Sequence, residues 1–274
     1  MTVLPQTAAQ ILADLGIREP VDLDIEAIAE YCGATIRYKP LHGCEARILG
    51  YKERAIITVN SLATRERQRF SAGHELGHWM RDRGQVAFQC EDKSFTREWS
   101  ANNPETRANR FSSDLLLPAP MFRPLARGLP ITFNTVSDLA SQFQMSLTAT
   151  AIRLVEHGWM PSMLVCNTDE GKAWFVANSE VKGKFWPVER PGKNTVAYDL
   201  QLGTSRESPQ DVRCSEWINH PRADRYWIKE DSIMLRGRTI LSLLWWEDEQ
   251  QILDQEEYEE RRFSERSDRR RDWE

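Results

Sequence analysis

His74 and His78 stand four residues apart with Glu75 between them, in the run Phe70-Ser71-Ala72-Gly73-His74-Glu75-Leu76-Gly77-His78. On an α-helix this spacing turns the two imidazoles only about 40° from each other, so both can meet one ion. Two of the ligands of a metal centre would then come from one helical face. Glu75 lies about 100° round the helix from His74, near enough to a water beside the ion to act as a general base in hydrolysis. It is not placed to be a third ligand. Gly77 thins the helix surface where a sheet edge or a substrate backbone could come close. Phe70, Ala72, Leu76 and Trp79 supply the apolar positions that would bury such a helix.

A tetrahedral zinc in a hydrolase takes three protein ligands and keeps its fourth position for water, so a further donor is expected on a neighbouring element. Glu105 stands near the start of the next helical stretch, and Asn109 follows four residues later on the same face. Metal-bound histidines usually give their other ring nitrogen to an acceptor, a role open to Asn109 while Glu105 binds the ion. Glu91, Asp92, Glu98 and Asp114 are the rival third ligands.

The elements that must position these residues can be traced along the 274-residue chain. Short helices are expected at 7–15 and 24–32, each closed by a glycine, Gly16 and Gly33. Short β-branched stretches at 34–38, 46–51 and 55–59, separated by Pro40, Gly43 and Gly50, read as a small antiparallel sheet. The histidine-bearing helix should run over about 61–83 and the next over 104–117, stopped by Pro118, with a charged loop of about 20 residues between them. Helices at 135–143 and 147–157, around a three-residue break, resemble a helix-turn-helix. After Gly158 the composition changes, with eight of the ten tryptophans lying beyond it. Strands are expected there at 163–166, 174–176, 196–200 and 239–246.

Composition excludes several classes. No apolar run approaches the roughly 20 residues of a membrane-spanning helix, and Met1 to Ile11 lacks the features of a secretory signal, so a cytoplasmic protein is expected. Cys32, Cys44, Cys90, Cys166 and Cys214 are widely spaced and odd in number, which argues for separate reduced thiols rather than a disulfide framework or a cysteine-bound metal. His42 and Cys44 lie close together but have no orienting third group. Residues 247–274 hold 12 acidic and 6 basic residues, leaving a near-neutral body behind the net charge of -5. A bulk basic footprint for nucleic acid is missing, and direct nucleic-acid binding is not expected.

The motif His74-Glu75-Leu76-Gly77-His78, followed by Glu105-Thr106-Arg107-Ala108-Asn109-Arg110-Phe111 and Leu115-Leu116-Leu117-Pro118, resembles the ImmA/IrrE family of bacterial metallopeptidases. The likeness spans about residues 20–160. It implies that Glu105 is the third zinc ligand and that the activity is limited proteolysis of a helix-turn-helix DNA-binding repressor, which would release stress-response or mobile-element genes. Gly73 and Ser112 stand where alanine is usual in that family, and Leu117 where methionine is common.

The expected fold is therefore α+β: a zincin-like peptidase domain over 1–160 with a small antiparallel sheet and the His-Glu-x-x-His helix. It includes the helix-turn-helix-like pair at 135–157. A C-terminal α/β or mainly β domain at 161–246, for sensing or partner binding, and a charged tail at 247–274 complete the chain. The expected cofactor is Zn2+, replaceable by Mn2+, held by His74, His78 and Glu105, with Glu75 catalytic and Asn109 supporting. The competing reading is a transcription regulator that uses the helical pair on DNA or a partner and keeps a structural or vestigial metal site. Its second helix offers Arg153 with Thr148, Thr150 and Ala151, sparse equipment for phosphate contacts.

Overall fold

The computed structural model describes residues 6–81, 89–91, 103–254 and 257–258. The chain divides into two units, one of Met1–Leu125 with Ser137–Thr150 and one of Ala126–Val136 with Ala151–Glu274.

In the first unit, α1 (Ala8–Asp14) begins with a reciprocal cap. Thr7 Oγ1 accepts from Gln10 N, and Gln10 Oε1 accepts from Thr7 N at 2.8 Å. Such a pair satisfies two backbone donors that the first turn leaves open. Helix α2 (Ile25–Tyr31) is capped by the Asp24 carboxylate, which accepts from the Glu26 and Ala27 N–H groups. Gly33 closes it with a positive φ of 80°, and a Cβ there would lie 2.8 Å from Glu53 O, so glycine is required on both counts.

Strands β1 (Ala34–Lys39), β2 (Cys44–Tyr51), β3 (Arg54–Asn60) and β4 (Gln89–Glu91) form a sheet in the order β1-β3-β2-β4. The first three strands fall where the sequence places them, β4 falls within the stretch expected to be a charged loop, and the sheet is mixed rather than antiparallel. β2 pairs antiparallel with β3 and with β4, whereas β1 runs parallel to β3. The cause is order in the sheet. Two reversals along the chain leave β1 and β3 pointing the same way, and β3 inserts between β1 and β2, making the like-directed strands neighbours.

Helix α3 (Arg65–Arg81) carries the histidine motif and is buried on every face from Ser71 to Met80. It meets the sheet where Gly50 leaves room for Trp79: a Cβ at Gly50 would come within 2.7 Å of the indole ring. The Trp79 indole N–H donates to Cys32 O at 2.9 Å. Helix α4 (Pro104–Leu116) starts with Pro104 in its first turn and with Asn103 Oδ1 accepting from Glu105 N at 3.0 Å. It packs on α3 at two glycines. A Cβ on Gly77 would lie 3.0 Å from Ala108 Cα, and one on Gly73 would lie 2.6 Å from Ser112 Oγ. The close neighbour at Gly77 is thus a helix, not the sheet edge or substrate anticipated. Helix α5 (Ala119–Ala126) lies in a stretch to which the sequence reading assigns no element, and it begins with Pro118 O accepting from Met121 N and Phe122 N. Helices α6 (Phe133–Phe143) and α7 (Leu147–His157) contribute residues to both units.

The second unit holds an antiparallel sheet in the order β6-β5-β9-β8-β7, from β5 (Ser162–Thr168), β6 (Gly171–Ala177), β7 (Gln210–Arg213), β8 (Trp227–Met234) and β9 (Ile240–Trp245). The expected strand at 196–200 is instead α8 (Val196–Gln201). Its first N–H groups, from Val196 and Ala197, donate to the fully buried Glu230 carboxylate at 3.0 and 2.8 Å, and Thr195 Oγ1 accepts from Tyr198 N. These caps outweigh the β-propensity of a short run. Glu230 sits on β8, whose central charges hide it from a hydropathy reading. Its neighbour Asp231 points to the opposite face of the sheet, where it accepts from Phe133 N at the start of α6 at 2.6 Å. Burial pushes the Glu230 carboxyl above its ordinary value, opposed by the Ser232 hydroxyl and the α8 N–H groups. No helix among the described residues is long and apolar enough to cross a membrane.

The contact at Gly73 yields a test. Gly73→Ala alone should cost about 1–3 kcal/mol through overpacking, seen as a fall of about 5 °C in the melting temperature. Adding Ser112→Ala removes the hydroxyl that fills this space and should recover most of the loss. Additive losses in the two single variants and the double variant, measured by calorimetry, would rule out this account of the contact.

Candidate metal centre

Because α4 lies close against α3, the side chain of Glu105 in its first turn reaches the histidine pair. Glu105 Oε2 is 3.2 Å from His74 Nε2, and Oε1 is 3.4 Å from His78 Nε2. The two Nε2 atoms are 3.1 Å apart, with the rings edge to face at 4.7 Å between centroids. His74 and His78 are buried, and the Glu105 side chain is 51% exposed, so the cluster has a wall of imidazole and an open carboxylate side. The donor atoms of these three residues all lie within 4.8 Å of one another.

Asn109, one turn after Glu105, places its Oδ1 2.8 Å from His74 Nδ1. An amide oxygen can only accept, so Nδ1 carries the proton, and Nε2 is the ring nitrogen turned to the cluster. Two imidazole nitrogens and a carboxylate thereby converge without an apolar group between them. The His74 and His78 imidazoles beside it hold the Glu105 carboxyl well below the usual carboxylate range, against the opposing effect of burial.

Glu75, next to His74 on α3, is fully buried and is not one of the three converging groups. Among the rival ligands, Asp114 lies more than two turns beyond Glu105 and does not join the cluster. Glu91 falls at the end of β4, and Asp92 and Glu98 lie outside the described residues. What the motif reading missed is the role of Gly73 with Ser112, whose hydroxyl fills the space of an alanine methyl and donates to Phe70 O at 2.9 Å.

The other singled-out residues do not assemble into a site. Cys44 is buried and His42 exposed, and His220 Nδ1 accepts from Arg222 N within a local turn. In the helix-turn-helix-like pair, Thr150 and Ala151 are fully buried and Arg153 is 5% exposed, so the second helix does not present these groups to a phosphate backbone.

Residues 29–155 match the IrrE N-terminal-like domain of the peptidase M78 family. No curated protein matches the chain. A solved structure described as a Mycobacterium tuberculosis transcriptional regulator is similar in fold, with a TM-score of 0.55 and 13% identity over 87% of this chain and 74% of that one. At that identity the likeness concerns the fold alone. The part of the chain that carries the ordered motifs on α3 and α4, residues 29–155, is thus an IrrE N-terminal-like domain of the peptidase M78 family.

Proposed function

We propose that the chain is a zinc-dependent endopeptidase that makes limited cuts in a helix-turn-helix DNA-binding repressor, relieving repression of stress or mobile-element genes. The observation that supports it is the convergence of His74, His78 and Glu105 on one point next to the buried Glu75. Two imidazole nitrogens and a carboxylate are a donor set of hydrolytic zinc sites, with a fourth position left for water. Two ring nitrogens and a carboxylate already 3.1–3.4 Å apart are all groups that a divalent cation accepts as ligands, so the residues fit the ion, and Mn2+ would suit them as a substitute.

When bound, the zinc supplies Lewis-acid polarisation of the scissile carbonyl and acidifies a water. The chain's residues carry the proton traffic. Glu75 takes a proton from the attacking water and passes it to the amine nitrogen as the C–N bond breaks. Asn109 fixes the His74 tautomer and ring orientation through its 2.8 Å contact. The regulator reading has less support, because three of the four α7 residues it would use on DNA, Thr150, Ala151 and Arg153, are buried.

The purified protein should bind one zinc or manganese ion, and His78→Ala and Glu105→Ala should each lose stoichiometric metal. Asn109→Ala should weaken metal affinity by about 10- to 100-fold. Elemental analysis and competition with a chelating dye measure both, and full metal content in either ligand variant would remove the site.

Glu75→Gln should retain metal and fold while proteolysis falls by about 10² to 10⁴. A Glu75→Gln protein that cleaves at the unaltered rate would assign the proton transfer to another group.

The substrate should be a specific repressor, with casein cut poorly. Mixing the enzyme with a helix-turn-helix regulator encoded beside it, with and without chelator, should give chelator-sensitive cleavage and release of operator DNA. If the regulator stays whole under every metal condition while this protein alone shifts a specific duplex, the regulator reading takes over.

A further inference from the structure

The mixed sheet of the first unit has one buried face and one open face. On β2 and β3 the inward positions Ala46, Ile48, Ala55, Ile57 and Val59 are all buried. Alternation sends the intervening residues outward, and the strand register arranges them in rows across the sheet. Arg37, Thr58 and Arg47 form one row, Thr35, Ile56 and Leu49 the next, and Arg54 with Tyr51 the third. Lys39, two residues beyond Arg37 on β1, stands opposite Asn60 in the row beyond the first, and Lys52 follows Tyr51 in the hairpin turn, its Nζ 5.3 Å from the Tyr51 ring centroid. An aliphatic row is thus flanked by cations on both sides.

Thr58 is buried at 9% exposure and Ile56 is half-buried, while the groups around them are open. Leu49 is 61% and Tyr51 74% exposed, and Arg37, Lys39, Arg47 and Arg54 are exposed as well. None of those four makes an ion pair among the described residues. Glu45, the carboxylate on β2, is turned to Arg67 at 3.9 Å, and Glu53 sits in the hairpin turn.

Successive rows on one face are about 7 Å apart, so the flanking cations are about 13 Å from each other across the aliphatic row. An α-helix with side chains is about 10–12 Å wide. Laid along the row, across the strands, a helix would set an apolar stripe on Ile56 and Leu49 and bring side chains on its two shoulders to the cations. We propose that this face docks an amphipathic helix of a protein partner whose apolar stripe is flanked by acidic residues. That the partner is the cleaved protein rests on the peptidase reading; the docking itself can be measured without cleavage. A single-stranded nucleic acid fits less well, since stacking platforms use successive open aromatic faces, and here the central row is aliphatic and Lys52 already covers Tyr51.

The test uses the full chain and fluorescence anisotropy at low salt. The probes are a labelled helical peptide with a leucine stripe flanked by glutamates, a scrambled peptide of the same composition, and oligothymidine. The patterned peptide should bind about tenfold tighter than the scrambled one and weaken with added salt. Arg47→Glu with Arg54→Glu should lower its affinity about tenfold or more, and Leu49→Ser should also weaken it. All three positions are exposed, and unchanged metal content and circular dichroism verify the fold. Equal binding of both peptides, indifference to the variants, or preference for oligothymidine would overturn the docking site. A chain that binds the patterned peptide yet cleaves nothing sinks the peptidase reading and leaves this surface standing. A chain that cleaves a short peptide while treating all three probes alike does the reverse.

Discussion

Glycines at 73 and 77 let α4 approach α3 closely, and the geometry of the histidine-glutamate cluster depends on that approach. A methyl group at Gly77 would press within 3.0 Å of Ala108 Cα, a backbone atom that can yield only if the whole helix moves. Glu105 stands three residues before Ala108 on the same helix, so any retreat of α4 carries its carboxylate away from the imidazoles. Metal–ligand distances hold to within about 0.2 Å, and the contact at Gly77 would ask α4 to give by a few tenths of an ångström. The two glycines therefore help to position the candidate metal cluster although they are not among its donors. Ser112 works in the same place: its hydroxyl fills the notch at Gly73 and donates to Phe70 O, so the helices meet without a void.

Helix α3 buries polar groups that most helices leave in water. Glu75 is fully buried, His78 is 2% exposed and Arg69 7% exposed, all within one element. Desolvating such groups is costly unless partners compensate. The structure shows some of the compensation: Asn109 on His74, the Leu23 carbonyl accepting from Arg69 Nη2 at 2.9 Å, and the paired contact of Glu105 with both imidazoles. It also shows what fixes the helix in position, with Trp79 lodged over Gly50 and its indole N–H on Cys32 O. The sheet, α2 and α4 thus hold in place a helix whose own apolar content is too low to secure it. A local conflict between sequence pattern and burial is expected where chemistry is done.

This conflict also explains which parts of the chain could be read in advance. The four-residue spacing of His74 and His78 and the Glu105–Asn109 pair are local patterns, and the structure brings three of these residues together with the fourth on His74 Nδ1. The helices at the start of the chain were legible because each has a capping side chain or closing glycine within a few residues. Features that depend on distant partners were not. The parallel pairing of β1 with β3 is set by which strand inserts between them, and the fate of residues 196–200 is set by Glu230, more than thirty residues away. Strand β8 was missed for the same reason: Lys229, Glu230 and Asp231 look like a loop until the two carboxylates are seen serving backbone donors on opposite faces of the sheet.

The period-two geometry that divides Glu230 from Asp231 also governs the open face of the first sheet. Along β1, β2 and β3 the cations occupy alternate positions in register, so a body whose charges nearly cancel in sum carries an unbalanced face. Net charge is a poor guide to such a surface, because it adds residues that strand alternation sends to opposite sides. The buried side of that sheet packs the helix bearing the histidines, with Gly50 under Trp79 and the open Leu49 and Tyr51 on either side of Gly50 in the same strand. A load applied at Leu49 and Tyr51 is therefore one residue removed from the contact that seats α3. The open face and the seat of α3 thus share one strand, β2, whose alternating residues serve both.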